Sequence, residues 1–162
     1  MNIKEVLFKL DDFCNAMNIK EALFKLDDFC NANKIEYTVT GTVALAMLGV
    51  PSNPNDIDIK VFHLKEEQKA KLKELQFLSG LGKENYEGKC YSFMIGGTKI
   101  NALVDNIDLS QEVTLSIHDE TYEKWRSICV QLVFPALKDK MKLKRHKDKT
   151  YMLNLIANLA QL

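Results

Sequence analysis

The sequence lacks the features that mark membrane proteins, secreted proteins and general polyanion binders. Its 22 basic and 22 acidic residues cancel, so any attraction to a polyanion must come from a local patch. No apolar run approaches the ~20 residues that a membrane helix needs. The N-terminus also lacks the charged-then-apolar order of a secretion signal. We therefore expect a cytoplasmic protein with no membrane partner.

Cysteine and histidine are sparse, and their spacing does not suit a zinc site or a catalytic thiol. The four cysteines form no Cys-x-x-Cys pair, and the three histidines are scattered without the spacing of zinc ligands. Cys90 has no nearby histidine to activate it, so a thiol nucleophile is not expected. Free or buried thiols in a reducing cytosol fit this pattern better than disulfides.

The N-terminus carries a sequence duplication. Residues 1–16 and 17–32 differ only at Val6 and Ala22, and each copy has the apolar spacing of an amphipathic helix. Because 16 residues at 100° each rotate the second copy by about 160°, we expect a break between the copies or a partner that covers the extra apolar face. We interpret 1–16 as an extra helix, from a recent duplication or an artefact, and 17–162 as one domain. A homodimer through the N-terminal helices is a further expectation.

The remaining pattern predicts an α+β (mixed α/β) fold, with a small mixed sheet, helices packed on it and a C-terminal helical segment. Strands are predicted at Ile35–Val39, Asp56–Phe62, Lys89–Ile95, Thr98–Val104 and Ile128–Phe134. Helices are predicted at Thr42–Leu48, Leu64–Phe77, Asp119–Arg126, from Pro135 onward and at Lys149–Leu162. Tyr122 and Trp125 would then be core anchors of the helix at 119–126.

The most informative motif lies between residues 40 and 62. A Gly41-Thr42 pair opens an apolar run, and 13 residues separate Thr42 from Asp56-Ile57-Asp58-Ile59. Strand alternation places Asp56 and Asp58 on one side, where two carboxylates converge on Mg²⁺ or Mn²⁺. A Gly-Thr turn before a helix supplies N–H groups that suit a phosphate. The motif therefore predicts nucleotide chemistry, with both aspartates as metal ligands and catalytic residues.

These residues resemble the signature of the polymerase-β-type nucleotidyltransferase superfamily, in which a Gly-Gly or Gly-Ser pair and a helix precede an Asp-x-Asp strand. The stretch TGTVALAMLGVPSNPNDIDIKV looks especially like the small bacterial nucleotidyltransferases of abortive-infection and toxin–antitoxin systems. Leu137-Lys138-Asp139-Lys140 and Arg145-His146-Lys147-Asp148 are similar to the Leu-x-x-Lys and Arg-x-Lys-Asp pattern of those proteins. The resemblance covers most of residues 18–160.

The resemblance implies a Mg²⁺-dependent transfer of a nucleoside monophosphate from a nucleoside triphosphate (NTP) to a hydroxyl. The acceptor would be a tRNA end, a protein side chain or a small molecule. Asp56 and Asp58 would hold the metal. The implied nucleotide-binding residues are Gly41, Thr42, Lys138, Arg145 and Lys147.

The third carboxylate of the superfamily is missing from its usual place, which is occupied here by Asn101 in Ile100-Asn101. Asp105, four residues later and on the same side of a regular strand, could substitute as the third catalytic group or could simply begin a loop. Two further hypotheses therefore remain beside the enzyme. One is a catalytically inactive module that binds a nucleotide or a partner protein, and the other is an interaction protein that self-associates through the duplicated helix.

Overall fold

The computed structural model describes residues 17–50, 54–81, 89–106 and 108–142. The helices are α1 (Met17–Ala32), α2 (Gly41–Met47), α3 (Glu66–Leu78) and α4 (Val133–Lys142). The strands are β1 (Glu36–Thr40), β2 (Ile57–Phe62), β3 (Cys90–Ile95), β4 (Thr98–Val104), β5 (Glu112–Asp119) and β6 (Lys124–Gln131). A short 3₁₀ turn at Leu109–Gln111 precedes β5.

The six strands form one mixed sheet in the order β3-β4-β2-β1-β6-β5. Strands β1 and β2 pair antiparallel, whereas β2 pairs β4, and β1 pairs β6, in parallel. The β3–β4 and β5–β6 pairs are antiparallel hairpins. Because helices precede, separate and follow the strands of a mixed sheet, the predicted α+β fold is confirmed.

The two faces of the sheet differ in polarity, as β2 shows most clearly. Ile57, Ile59 and Val61 are buried in the main apolar core, together with side chains of α1 and α3. The alternate residues Asp58 and Lys60 are half-buried and point to the opposite face. The helix-covered face therefore supplies the core, and the other face is free to carry polar chemistry.

The predicted helix at Asp119–Arg126 is wrong, because Asp119 ends β5 and Lys124 begins β6. The Asp119 carboxylate accepts a hydrogen bond from the Thr121 N–H at 3.0 Å and stabilises the turn between the strands. Tyr122 and Trp125 are 69% and 59% exposed, so their assignment as core anchors is also wrong. The local turn and the strand pairing outweigh the helical spacing of the apolar residues here.

The other predicted elements are found close to their expected positions, including the hairpin around Gly96-Gly97. The predicted strand at 128–134 runs too far, because β6 ends at Gln131 and α4 begins two residues before Pro135. The predicted helices at 1–16 and 149–162 lie outside the described residues. None of the described helices is long and apolar enough to cross a membrane.

Candidate functional site

The main chain of Gly41 lies directly against the Asp58 carboxylate. Thr40, the last residue of β1, is opposite Asp58 in the β1–β2 pair, so the turn into α2 begins beside this carboxylate. Gly41 has a φ of +66°, and a Cβ on this residue would lie 2.9 Å from Asp58 Oδ2. A side chain at position 41 would therefore be strained by its backbone and would also collide with Asp58.

Asn101 is hydrogen-bonded to the same carboxylate. It lies opposite Asp58 in the parallel β2–β4 pair, and its Nδ2 donates to Asp58 Oδ1 at 3.0 Å. On its other side, Ser92 Oγ of β3 donates to Asn101 Oδ1 at 2.9 Å. An ionised carboxylate only accepts hydrogen bonds, so the pairing with Asp58 fixes the orientation of the amide. The nitrogen of Asn101, and not its oxygen, therefore faces Asp58.

Asp56 completes the carboxylate pair at this end of β2. It is exposed in the turn directly before the strand, two residues from Asp58. Within the described part of the chain, no group of three or more His, Cys, Asp or Glu side chains is arranged to hold a metal ion. The chemistry of two carboxylates two residues apart nevertheless fits a hard divalent cation that keeps several of its waters.

Asp105 is not brought to Asp58. It follows the end of β4, and its carboxylate lies 3.4 Å from Lys60 Nζ. It follows Asn101 by four positions, which corresponds to about 13 Å along a strand. Of the two candidates for the third position, the structure therefore places Asn101 beside Asp58 and pairs Asp105 with Lys60.

Lys60 also connects the sheet to α4, a link that the sequence analysis missed. Its Nζ lies 3.2 Å from Asp139 Oδ2, and Gln131 Nε2 donates to the same oxygen at 3.0 Å. Gln131 is 3% exposed, and its Oε1 has no hydrogen-bond partner among the described residues. The one sequence signal for this cluster is that Lys60 follows Asp58 by two residues and so shares its face.

Cavity volume does not single out this site. Cavities of about 570 and 520 Å³ are lined by residues that include Phe62 at the other end of β2, and Asp58 lines neither of them. What distinguishes the Asp58 region is the arrangement of its side chains on the polar face, at the start of β2.

Comparisons with known proteins identify the fold. No protein-family model and no curated protein sequence matches this chain. A solved structure of an antigenic nucleotidyltransferase-like protein from Paracoccidioides brasiliensis matches with a TM-score of 0.50 at 15% identity, over 86% of this chain and 73% of that one. The chain has a nucleotidyltransferase-like fold. A protein from Thermotoga maritima that is assigned to the nucleotidyltransferases has a TM-score of 0.49 at 19% identity, over 84% of this chain and 91% of that one.

The nucleotidyltransferase-like fold separates the predicted site residues other than Asp105, which pairs with Lys60, into three groups. The first lies together at the Asp58 end of β2 and consists of Gly41, Thr42, Asp56, Asp58 and Asn101. Lys138 is exposed on α4, one residue before the Asp139 that contacts Lys60. Arg145 and Lys147 lie outside the described residues.

Proposed function

We propose that this chain is a nucleotidyltransferase that moves a nucleoside monophosphate from an NTP to a hydroxyl. The observation that carries the proposal is the approach of the Gly41 backbone to Asp58, which brings a possible phosphate-binding turn and a metal-binding carboxylate together. The fold, shared with a nucleotidyltransferase-like protein, supports the same reading. In the reaction the acceptor hydroxyl loses its proton to water and its oxygen bonds to the α-phosphorus, while the bond from the α-phosphorus to the bridging oxygen breaks and pyrophosphate leaves.

Each residue at the Asp58 end of β2 has a distinct role in this proposal. Asp56 and Asp58 would hold Mg²⁺ or Mn²⁺, which supplies positive charge to the triphosphate and lowers the pKa of the acceptor hydroxyl. Gly41 lets the backbone of the turn approach the Asp58 carboxylate, and the Gly41-Thr42 turn would bind a phosphate held beside it, with the Thr42 hydroxyl as a donor. Asn101 holds the Asp58 carboxylate in position through its amide nitrogen.

The basic residues near the C-terminus complete the proposed substrate contacts. Lys138 would bind the triphosphate or the acceptor, together with Arg145 and Lys147. The Lys60–Asp139 ion pair supports this role, because it holds α4 against the polar face of the sheet. Packing of Leu45 of α2 against Ala136 and Leu137 of α4 holds the same helix beside the glycine turn.

A nucleotide-binding module without turnover is the second candidate, and one observation favours it. The position opposite Asp58 carries the neutral amide of Asn101, and that amide presents a donor rather than a metal ligand to the carboxylate. A site with two carboxylates compensates less of the cost of removing water from Mg²⁺ than a site with three. Such a module would bind an NTP or a partner protein and would release no pyrophosphate.

Pyrophosphate release and NTP binding, measured together, separate the two candidates. The full chain is incubated with each common NTP and Mg²⁺, and Asp56→Ala and Asp58→Ala are compared with Glu120→Ala, which removes an exposed carboxylate at the far hairpin. Release that is lost in the first two variants and kept in the third supports the enzyme. NTP binding by calorimetry without release supports the module, and the absence of both contradicts the enzyme and a module that binds an NTP.

The finer biological setting is part of the same proposal. We place the reaction in the cytoplasm, with a tRNA end, a protein side chain or a small molecule as acceptor, in a protein of the toxin–antitoxin or abortive-infection type. A homodimer through the N-terminal helices is the corresponding proposal for assembly. Light scattering of the full chain and of residues 17–162 tests it, because a monomeric mass for the full chain would contradict the dimer.

A further inference from the structure

Helix α1 covers the apolar face of the sheet with a continuous stripe of side chains. We call the surface beneath it the α1 groove, which is marked by Tyr37, Phe93, Gly96 and Arg126. The side chains that α1 buries in this groove are Ile19, Ala22, Leu23, Leu26 and Cys30. All five belong to the main core, so the fold depends on a helix with this stripe.

Charged contacts add specificity to the apolar stripe. Arg126 of β6 has a side chain that is 2% exposed, and it donates to Asp27 at 2.9 Å and to Asp28 at 2.8 Å. The Tyr37 hydroxyl donates to Asp27 at 2.7 Å. A helix that fills the α1 groove therefore needs two consecutive aspartates directly after its last core leucine, Leu26.

Residues 1–16 satisfy both requirements. The residues of the first copy that correspond to Ile19, Leu23, Leu26, Asp27, Asp28 and Cys30 are Ile3, Leu7, Leu10, Asp11, Asp12 and Cys14. The first copy thus repeats every side chain that α1 buries in the groove except one, because Val6 stands where α1 has Ala22.

The single difference falls at a buried position that faces Gly96. Ala22 is fully buried, and its Cα lies 4.0 Å from where a Cβ on Gly96 would be. Valine adds two methyl groups at this place, so the first copy would fit the groove with some overpacking. The second copy is also favoured by its connection to β1, where the Ile35 N–H donates to Cys30 O at 2.8 Å.

A simple extension of α1 does not provide another place for the apolar stripe of the first copy. A continuous helix would carry that stripe about 160° away from the face that packs on the sheet. We propose that residues 1–16 of the same chain can also bind in the α1 groove, in place of residues 17–32. The fold then has an alternative state in which the helix in the groove comes from sixteen positions earlier in the chain. In that state residues 17–32 form a loop, whose closure entropy grows only slowly with its length.

Paired substitutions in the full chain test this exchange. Leu26→Asp removes the second copy from the groove and Leu10→Asp removes the first. We expect Leu10→Asp to leave the urea midpoint unchanged, Leu26→Asp to lower the midpoint but keep a cooperative transition, and the double variant to show no transition. The proposal would be overturned if Leu26→Asp and the double variant had the same urea midpoint, or if neither showed a transition.

Two further variants keep the test informative when Leu26→Asp is only marginally folded. Val6→Ala relieves the overpacking at Gly96, so it should raise the midpoint of Leu26→Asp. It should have no effect when Leu10→Asp is also present, because the first copy can then no longer fill the groove. A rise of equal size in both backgrounds would overturn the proposal.

Thiol alkylation followed by mass spectrometry reports directly which copy fills the groove. Cys30 is 1% exposed, and burial, with a smaller effect of Asp27, raises its pKa to about 12, so it should resist alkylation in the natural sequence. In Leu26→Asp we expect Cys30 to be labelled quickly and Cys14 to be protected at least tenfold. Equal labelling of both cysteines, or a larger number of subunits by light scattering in Leu26→Asp than in the natural chain, would overturn exchange within one chain.

Discussion

The side-chain amide of Asn101 donates its hydrogen bond to the carboxylate of Asp58, across the parallel pair of β2 and β4. This bond orients the Asp58 carboxylate through a neutral donor. The Asp58 carboxylate is therefore held by an amide of the neighbouring strand.

Replacing this amide by a carboxylate should increase the response to Mg²⁺. In Asn101→Asp the hydrogen bond to Asp58 is lost and two negative charges face each other, so the free protein should lose about 1–3 kcal/mol of stability. Mg²⁺ should restore this stability by binding between the two carboxylates. Thermal unfolding with and without Mg²⁺ measures the effect.

Asn106→Asp is the matched control, since Asn106 is exposed just beyond β4. Its melting temperature should respond to Mg²⁺ as the natural protein does. If Asn101→Asp shows no larger Mg²⁺-dependent rise than this control, position 101 does not contribute to a metal site.

The contact between Gly41 and Asp58 predicts a specific effect of a single methyl group. Gly41→Ala would place a Cβ 2.9 Å from Asp58 Oδ2 in a backbone with a φ of +66°. Gly80→Ala is the control, because Gly80 has a φ of +70° and a Cβ there meets nothing within 4 Å. Both variants should lose roughly 1–2 kcal/mol through left-handed backbone strain.

Any loss of stability in Gly41→Ala beyond that of Gly80→Ala measures the collision with Asp58. We expect NTP affinity, measured by calorimetry, to fall at least tenfold in Gly41→Ala and to stay within twofold in Gly80→Ala. Unchanged NTP affinity in Gly41→Ala would mean that the glycine turn is not part of the nucleotide site.

Lys60 should affect nucleotide binding without contributing a metal ligand. Lys60→Met removes the links to Asp105 and Asp139, so α4 loses its charged contact with the sheet. We expect the NTP affinity to become several-fold weaker. The Mg²⁺ concentration that gives half of the maximal NTP binding should not change. Lys73→Met, at an exposed position of α3, should change neither quantity, and an equal effect of both variants would indicate a general change of charge.

Arg126 should make stability sensitive to acid. Arg126 lowers the pKa of Asp28, chiefly through a hydrogen bond. Since the folded pKa lies below the ordinary value of 3.8, this contribution is complete above that pH and is lost as pH falls through the folded pKa. Arg126→Met should cost about 3–5 kcal/mol near neutral pH, because the buried Asp27 and Asp119 lose their cation.

Urea unfolding between pH 3 and pH 7 measures both effects of Arg126. The difference in stability between the natural protein and Arg126→Met should shrink as pH falls toward 3. Lys124→Met removes a more exposed cation 3.7 Å from Asp28 and should cost less than about 1 kcal/mol. A constant difference across the pH range would contradict the role given to Asp28.

The sequence predicts β1 to β4 and the end of β6 because their signals are local, but it does not predict β5. Gly96-Gly97 between two alternating segments identifies β3 and β4, and the Asp56-Ile57-Asp58 alternation places the aspartates opposite the core. The turn after Asp119 was misread, because Tyr122 and Trp125 have spacing that also suits a helix. Only pairing with β6, which depends on the whole sheet, excludes the helix.

The candidate site was predicted only where its parts are close in sequence. The resemblance to nucleotidyltransferases supplied the comparison of Asn101 with a missing carboxylate. The ion pair between Lys60 and Asp139 joins residues 79 positions apart, and no local pattern encodes such a contact. Periodicity places the end of a strand only to within several residues. It therefore does not decide whether Asp105 faces Asp58 or Lys60.

The central pairing of the sheet has a consequence for hydrogen exchange. Strands β1 and β6 share a single main-chain register pair, Val39 with Val130, whereas β5 and β6 pair along eight residues. The β5–β6 hairpin is therefore attached to the other four strands mainly by side chains, such as the bond from Thr38 to Glu112 at 2.8 Å. Its amides should exchange as one cooperative unit that opens more readily than the strands around β2.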